Sequence, residues 1–252
     1  MNLRNKINKF FVLFIILTLS IISLEVMLRF FGYTPWKYID DRTGINKSDD
    51  TKGWIAKEGS HEIIASKEYM EKTTINILEE GNRFTGLDSK KKEKIIIIGG
   101  SFTQGWGVND NETYSFNLQT ELKNYEIANF GQSGYGTVQS YLLLKEILNK
   151  YDNIKLVLYG FIDHHEYRNV ARAEWLETLL KFSGKNNKLK PKIPYAILDL
   201  ENKITIKDPI SYIKLPLREF SALVTVIEKI YMKKITKSRK KIQKDLVNKL
   251  SL

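Results

Sequence analysis

The chain contains no cysteine in its 252 residues. That removes disulfide staples, Cys-ligated zinc and a Cys nucleophile together, without fixing the compartment. Histidine is almost as scarce, with His61, His164 and His165 the whole supply, so His-dependent chemistry has few places to sit. A recognisable nucleic-acid module is also missing. The net charge of +11 would invite such a partner, but the excess gathers at the chain ends. Arg4, Lys6 and Lys9 open the sequence, and Lys233, Lys234, Lys237, Arg239, Lys240, Lys241, Lys244 and Lys249 close it. No nucleic-acid partner is expected, and a solvated basic helix near anionic lipid headgroups is the plainer reading. Apolar residues at 42% and charged residues at 27% argue against disorder throughout. The length suits one sizeable domain with an appendage.

From Phe10 to Leu24 there is no charge at all, and after Glu25 the apolar run resumes through Val26, Met27, Leu28, Phe30 and Phe31. About 20 residues suffice to cross a bilayer core, and 10–31 meet that length. Glu25 and Arg29, spaced i, i+4, can pair on one helix face in the headgroup region. A cleaved signal peptide would also start basic and turn apolar, but cleavage needs small residues near the cut, and the first alanine is Ala56. An uncleaved anchor is therefore expected. The basic cluster before it should stay cytoplasmic. The result is a single-pass protein of the inner (cytoplasmic) membrane, in contact with lipid through residues 10–31 and with everything after Gly32 outside.

Composition divides the chain into four parts: a cytoplasmic stub and anchor (1–36), a lead-in of strands and loops (37–94), an α/β core with an insertion (95–225) and a basic amphipathic C-terminal helix (226–252). The lead-in carries short apolar runs at His61–Ala65 and Thr74–Leu78, the punctuation Gly81-Asn82-Arg83 and the basic stretch Lys90–Lys94. The core has the clearest pattern. Ile95-Ile96-Ile97-Ile98 has no polar face, as a buried parallel strand requires. A helix is expected around Glu112–Leu122, capped by Asp110 or Asn111, then a strand Glu126–Phe130, a helix Val138–Leu148 and a strand Ile154–Tyr159. Alternation at this spacing predicts right-handed crossovers and a parallel sheet covered on both faces. Further on, Ala171–Leu180 reads as a helix, the region of Pro191, Pro194 and Pro216 as a loop-rich insertion, and Ala222–Met232 as an amphipathic helix.

Function in such sheets gathers at the carboxyl ends of the strands. After the first comes Gly99-Gly100-Ser101-Phe102-Thr103-Gln104-Gly105-Trp106-Gly107-Val108. A Walker loop would need Lys where Trp106 stands, and the nucleotide fingerprint would need other glycine spacing. The α/β-hydrolase elbow would need Gly where Thr103 stands. What remains is a serine at a strand tip on a glycine-cleared turn, where backbone N–H groups can face an oxyanion. The second strand ends in Asn129-Phe130-Gly131-Gln132-Ser133-Gly134-Tyr135-Gly136, and the third in Gly160-Phe161-Ile162-Asp163-His164-His165-Glu166.

These blocks resemble the SGNH (GDSL-type) hydrolase superfamily over roughly residues 99–163, including its membrane-anchored bacterial members. The resemblance implies a flavodoxin-like three-layer α/β/α sandwich and no metal or other cofactor. It also implies an ester hydrolase or O-acetyl-group enzyme, whose substrate is an acylated small molecule or polysaccharide of the cell envelope. Carried onto this chain, Ser101 is the nucleophile and lends its own N–H to the oxyanion hole, and Gly131 supplies a second backbone donor. Ile162 stands where the family has an asparagine donor, a loss that can cost ~2.7–4 kcal/mol, with Asn169 as a substitute. The family takes its base from an Asp-x-x-His near the domain end, and no histidine follows His165. Two explanations compete. Truncation of a longer chain is favoured, because the sequence stops after a basic helix with no closing strand. The other is a degenerate domain that binds glycan or assembles an envelope complex. Asp163, His164 and His165 are local candidates for acid–base work. Their rival role is structural, with Asp163 bonding loop amides and Arg168 pairing with Glu166 or Asp163. A metal at His164 and His165 is disfavoured, since neighbours in sequence do not readily point at one ion. Trp106 and Trp175 are candidates for a sugar-binding face, with core packing the commoner role.

Overall fold

The computed structural model describes residues 3–39, 44–64, 72–86, 93–183, 189 and 191–250. Ala65 and Lys90, Lys91 and Lys92 lie outside these, and Arg4, Lys6 and Lys249 are described as helical backbone only. In chain order the elements are α1 (Leu3–Phe30), β1 (Asn46–Asp49), β2 (Gly53–Ala56), β3 (Gly59–Ile64), β4 (Lys72–Ile77), β5 (Lys94–Gly99), α2 (Ser101–Gln104), α3 (Tyr114–Glu121), β6 (Glu126–Asn129), α4 (Thr137–Lys150), β7 (Ile154–Gly160), α5 (His164–Asn169), α6 (Ala173–Phe182), β8 (Ile193–Leu198), β9 (Ile204–Ile210), α7 (Ala222–Ile235) and α8 (Arg239–Leu250). They form two compact units. One joins residues 1–37 to 213–235, and the other joins 38–212 to 236–252.

The first unit is built on α1, whose segment Asn8–Phe30, with a mean hydropathy of 2.6 over its most apolar 18 residues, is apolar and long enough to cross a membrane. Glu25 is bonded by Arg29 Nε at 2.6 Å, as the i, i+4 spacing predicts. Its carboxylate also accepts the N–H groups of Ala222 and Leu223, each at 2.9 Å, and the Ser221 hydroxyl at 2.8 Å. It thus satisfies N-terminal donors of α7 that no helical carbonyl can reach. α7 buries Ala222, Thr225, Glu228 and Met232 and leaves Ile227, Ile230 and Tyr231 exposed. Glu228 pairs with Arg218 at 3.0 Å on the buried side, so the outward face of the helix is its more apolar one.

The second unit is an α/β domain. Its parallel sheet has the order β6-β5-β7. β5 is buried along its whole length, as its uninterrupted β-branched sequence requires. Successive side chains alternate across the sheet. Ile95 and Ile97 join Ile127 in a core closed by Leu118, Leu122 and Tyr125 from the α3 side, while Ile96 faces the opposite way. Val138 of α4 packs with Val170, Ala196 and Leu246 in a second core.

The two edges of the sheet differ. Beyond β6, Arg83 makes single-residue bridges to both Asn129 and Ile77, and so links the antiparallel hairpin β3–β4 to the parallel strands. Beyond β7 no further strand pairs among the described residues, and Leu156 of β7 is 48% exposed. Cover on both faces therefore holds for β5 and β6 and fails at β7. The proline-rich stretch is also more regular than its composition suggests. β8 and β9 pair as an antiparallel hairpin, with an irregularity at Pro194 between Ile193 and Tyr195, where a residue without an N–H is tolerated.

Arg83 fastens this domain. It is 1% exposed, donates from Nε to Asp110 at 2.8 Å, and spends its remaining N–H groups on the carbonyls of Thr74, Gln104, Gly105 and Val108. Removing one member of such a buried pair strands the other. Arg83→Ala should lower unfolding free energy by about 3–5 kcal/mol, read by urea denaturation in detergent. A loss below about 1 kcal/mol would show that the loop holds without it.

Candidate functional site

Ser101 is the first residue of α2 and follows β5 after a two-glycine turn. Gly100 is needed there because the turn is crowded. A Cβ at this position would meet His165 Nε2 at 2.9 Å, Tyr135 O at 3.4 Å and Arg168 NH1 at 3.5 Å. The Ser101 side chain lines a cleft of about 220 Å³ together with Trp54, Trp106, Ser133, Arg168 and Trp175. Its hydroxyl makes no hydrogen bond to any described residue. The serine is thus turned into open space and not into the core. The tryptophans proposed from the sequence, Trp106 and Trp175, share this cleft. Trp54 joins them from β2, fixed by its Nε1 donating to Ser133 O at 2.9 Å and by the Tyr135 hydroxyl donating to its carbonyl.

The other candidates are distributed as follows. The Gly131 N–H donates to Asn129 Oδ1 at 2.9 Å. A Cβ on Gly131 would meet Gln104 N at 2.4 Å, so this glycine lets β6 and α2 approach closely. Its amide is engaged within the loop, whereas the N–H groups at the start of α2 have no helical acceptor. Asn169 is committed to α4: its Oδ1 accepts Val138 N at 3.1 Å and its Nδ2 donates to Thr137 Oγ1 at 3.1 Å. Asp163 precedes α5 with its side chain exposed and makes no capping bond. His164 is exposed beside Tyr167. Among the described residues no three His, Asp or Glu side chains gather as a metal site.

His165 is the unusual one. It is 0% exposed, stacked on Tyr159 with ring centres 5.7 Å apart, and its Nδ1 lies 2.7 Å from the Tyr159 hydroxyl. The same hydroxyl lies 2.7 Å from Thr137 Oγ1. When Tyr159 donates to Thr137, His165 Nδ1 carries its proton and Nε2 presents a lone pair toward the Gly100 turn. Nε2 has no partner. Burial, followed by the nearby Arg168 charge, lowers the His165 pKa to about 4. The ring is neutral near pH 7 and a poor proton acceptor, since a general base works best with a pKa close to the operating pH.

The structural role weighed for this segment pairs Arg168 with Glu166 or Asp163, and the structure shows neither pair. Glu166 instead accepts from Gln243 Nε2 at 3.4 Å. The Arg168 guanidinium turns the other way, onto the Trp175 ring at 4.4 Å, with NH1 donating to Tyr135 O at 2.9 Å. Nothing in the sequence separates this arginine from the many surface cations. Only the folding back of α5 against the Gly100 turn brings it into the cleft.

The fold and cleft define an α/β protein with an unengaged serine at the tip of its central parallel strand. Solved structures similar to the chain include AlinE4, an SGNH-hydrolase family esterase, at 25% identity over 38% of this chain and 53% of that one, with a TM-score of 0.29. A variant of that esterase carrying an aspartate-to-alanine substitution matches equally. A serine-to-alanine variant matches at 22% identity with a TM-score of 0.27. The chain thus matches about half the length of these esterases. No protein-family model and no curated protein matches it.

The titration of His165 has a measurable consequence. Its folded pKa of about 4 lies below the ordinary 6.5, so the unfolded chain binds this proton more readily. The stability it contributes is complete above about pH 6.5 and is lost as the pH falls toward 4. Denaturant midpoints measured from pH 7 to 4 should fall less steeply in His165→Gln than in the unsubstituted chain. Parallel curves would show that another group carries the acid sensitivity.

Proposed function

We propose that the chain carries the serine side of an SGNH-type ester hydrolase or O-acyl transferase, anchored by α1 and acting outside the cytoplasm on an acylated envelope glycan. The observation behind this reading is the Ser101 hydroxyl, unengaged and facing a cleft lined by three tryptophans. In the proposed step the Ser101 oxygen attacks the acyl carbon of the ester, the acyl C–O bond to the sugar breaks, and the serine proton leaves on the sugar oxygen as a free hydroxyl, so that the acyl group stays on Ser101. The N–H groups at the start of α2 steady the oxyanion. The aromatic walls suit the apolar faces of a sugar ring.

A second reading, a module that binds glycan without cleaving it, is favoured by two observations. The Gly131 amide is engaged by Asn129, and His165 is too weakly basic to activate a hydroxyl well. A fluorophosphonate probe separates the readings. Covalent labelling of the membrane-bound protein, abolished in Ser101→Ala, is expected for the acyl-transfer site. An unlabelled Ser101 in protein whose melting is cooperative would leave only the binding role.

The membrane proposal is supported by the apolarity of Asn8–Phe30 and by the second helix of the same unit. α7 begins on Glu25, near the end of the span, turns Ile227, Ile230 and Tyr231 outward, and carries Lys233 and Lys234 in its last turn. Such a helix suits the headgroup layer, with lysines reaching for anionic lipid. The chain should resist alkaline carbonate extraction, and alkaline phosphatase fused after Leu252 should be active. An inactive fusion would reverse the orientation, and release by carbonate would remove the span.

A further inference from the structure

We propose that the Ser101 cleft is an anion site, and that its ligand carries a carboxylate or phosphate group which Arg168 holds within about one sugar ring of the acyl carbon.

The case rests on a comparison of two buried arginines. The Arg83 guanidinium is fully matched by Asp110 and by loop carbonyls. Arg168 is also nearly buried, at 6% exposure, yet its environment offers far less. One carbonyl, Tyr135 O, accepts from NH1. The Trp175 face lies 4.4 Å from the guanidinium carbon. Nε is buried without a partner. No carboxylate pairs with this side chain, and among the described residues lining the cleft there is no Asp or Glu. Burial lowers the arginine's pKa, and the groups that oppose this are Tyr167, which also shares a side-chain hydrogen bond with it, and Tyr159.

A buried cation with no carboxylate to balance it is costly for a fold to keep. A planar guanidinium without a carboxylate partner is also the group that best matches carboxylate and phosphate oxygens. Here the guanidinium borders a cleft whose walls are Trp54, Trp106 and Trp175. Its NH1 stands so near Gly100, the residue before Ser101, that a Cβ there would lie 3.5 Å away. A ligand whose ring packs on the tryptophans and whose anionic group meets Arg168 is thereby placed with a neighbouring ester close to the serine oxygen. A uronate or phosphorylated sugar meets these demands, whereas a neutral sugar leaves the charge unmatched.

This inference takes its acyl chemistry from the function proposed above, but the anion site stands on Arg168 alone, so the two can fail separately. Tryptophan fluorescence of the full chain, solubilised in a non-ionic detergent, reports on the cleft directly. Titration with a tetragalacturonide should give a saturable change, while its fully methyl-esterified form, alike in shape and uncharged, should bind at least about tenfold more weakly. Glucose 6-phosphate against glucose distinguishes phosphate from carboxylate as the preferred oxyanion. Arg168→Gln should remove the preference for charge, and Arg168→Lys should keep part of it. Ser101→Ala, which leaves the arginine in place, should keep the same preference for the charged tetramer even if no probe ever labels the serine. Equal affinity for the charged and esterified tetramers would overturn the proposal without recourse to any Arg168 variant. So would an unchanged preference in a folded Arg168→Gln protein.

Discussion

A guanidinium has five N–H donors and no acceptor, and once Arg83 is buried every one of them must find an oxygen. The oxygens available are those of the loop that follows Ser101, at Gln104, Gly105 and Val108, together with the Asp110 carboxylate and the Thr74 carbonyl of β4. Because Arg83 itself bridges β4 and β6 through its backbone, the loop after the serine is tied to the strands beside it. Asn129 completes the tie from the other side, donating to Thr103 O and Ser115 Oγ while accepting from Gly131. The serine loop is therefore held by polar groups that cannot be released singly without leaving a buried charge or amide unmatched.

This rigidity bears on the site in two ways. It ties the loop that carries Ser101 to the strands on either side of it. It also commits the Gly131 amide to Asn129, whereas the N–H groups at the start of α2 have no helical acceptor. His165 and Arg168, one turn of α5 apart, complete the surroundings with opposite electrostatic characters. One is an uncharged ring wedged under the Gly100 turn. The other is a cation braced on Trp175. The charge on Arg168 helps to keep His165 neutral, so the two residues divide their work: one fills space beneath the turn, and the other supplies positive potential beside the serine.

The anchor unit follows the same economy of polar groups. Glu25 pairs with Arg29 along α1, yet it also accepts the first amides of α7. A carboxylate at the margin of an apolar helix is thereby satisfied on both sides, and a helix with an outward apolar face starts at that level.

Much of the architecture was legible because it follows from local rules. Four consecutive isoleucines without a polar face specify a buried strand, and glycines after Ile98, Phe130 and Tyr159 mark where strands end. Helices α3 and α4 fall within a few residues of where periodicity places them. The i, i+4 pair Glu25–Arg29 needs only helical geometry. The β8–β9 hairpin was hidden because Pro191 and Pro194 weigh toward loop in any local reading, whereas an irregular register absorbs Pro194. What tertiary structure alone decided was the company each side chain keeps. The amide of Gly131 is spent on Asn129, Asn169 serves α4, and Arg168 ignores the acids of its own helix in favour of Trp175. The sequence determined that a serine would stand at the tip of the central strand, since strand and turn are dictated by near neighbours in the chain. Whether that serine faces a charge, a base or a bare amide depends on segments 30 to 70 residues away in sequence, which only the packing of α5 and β2 around it brings together.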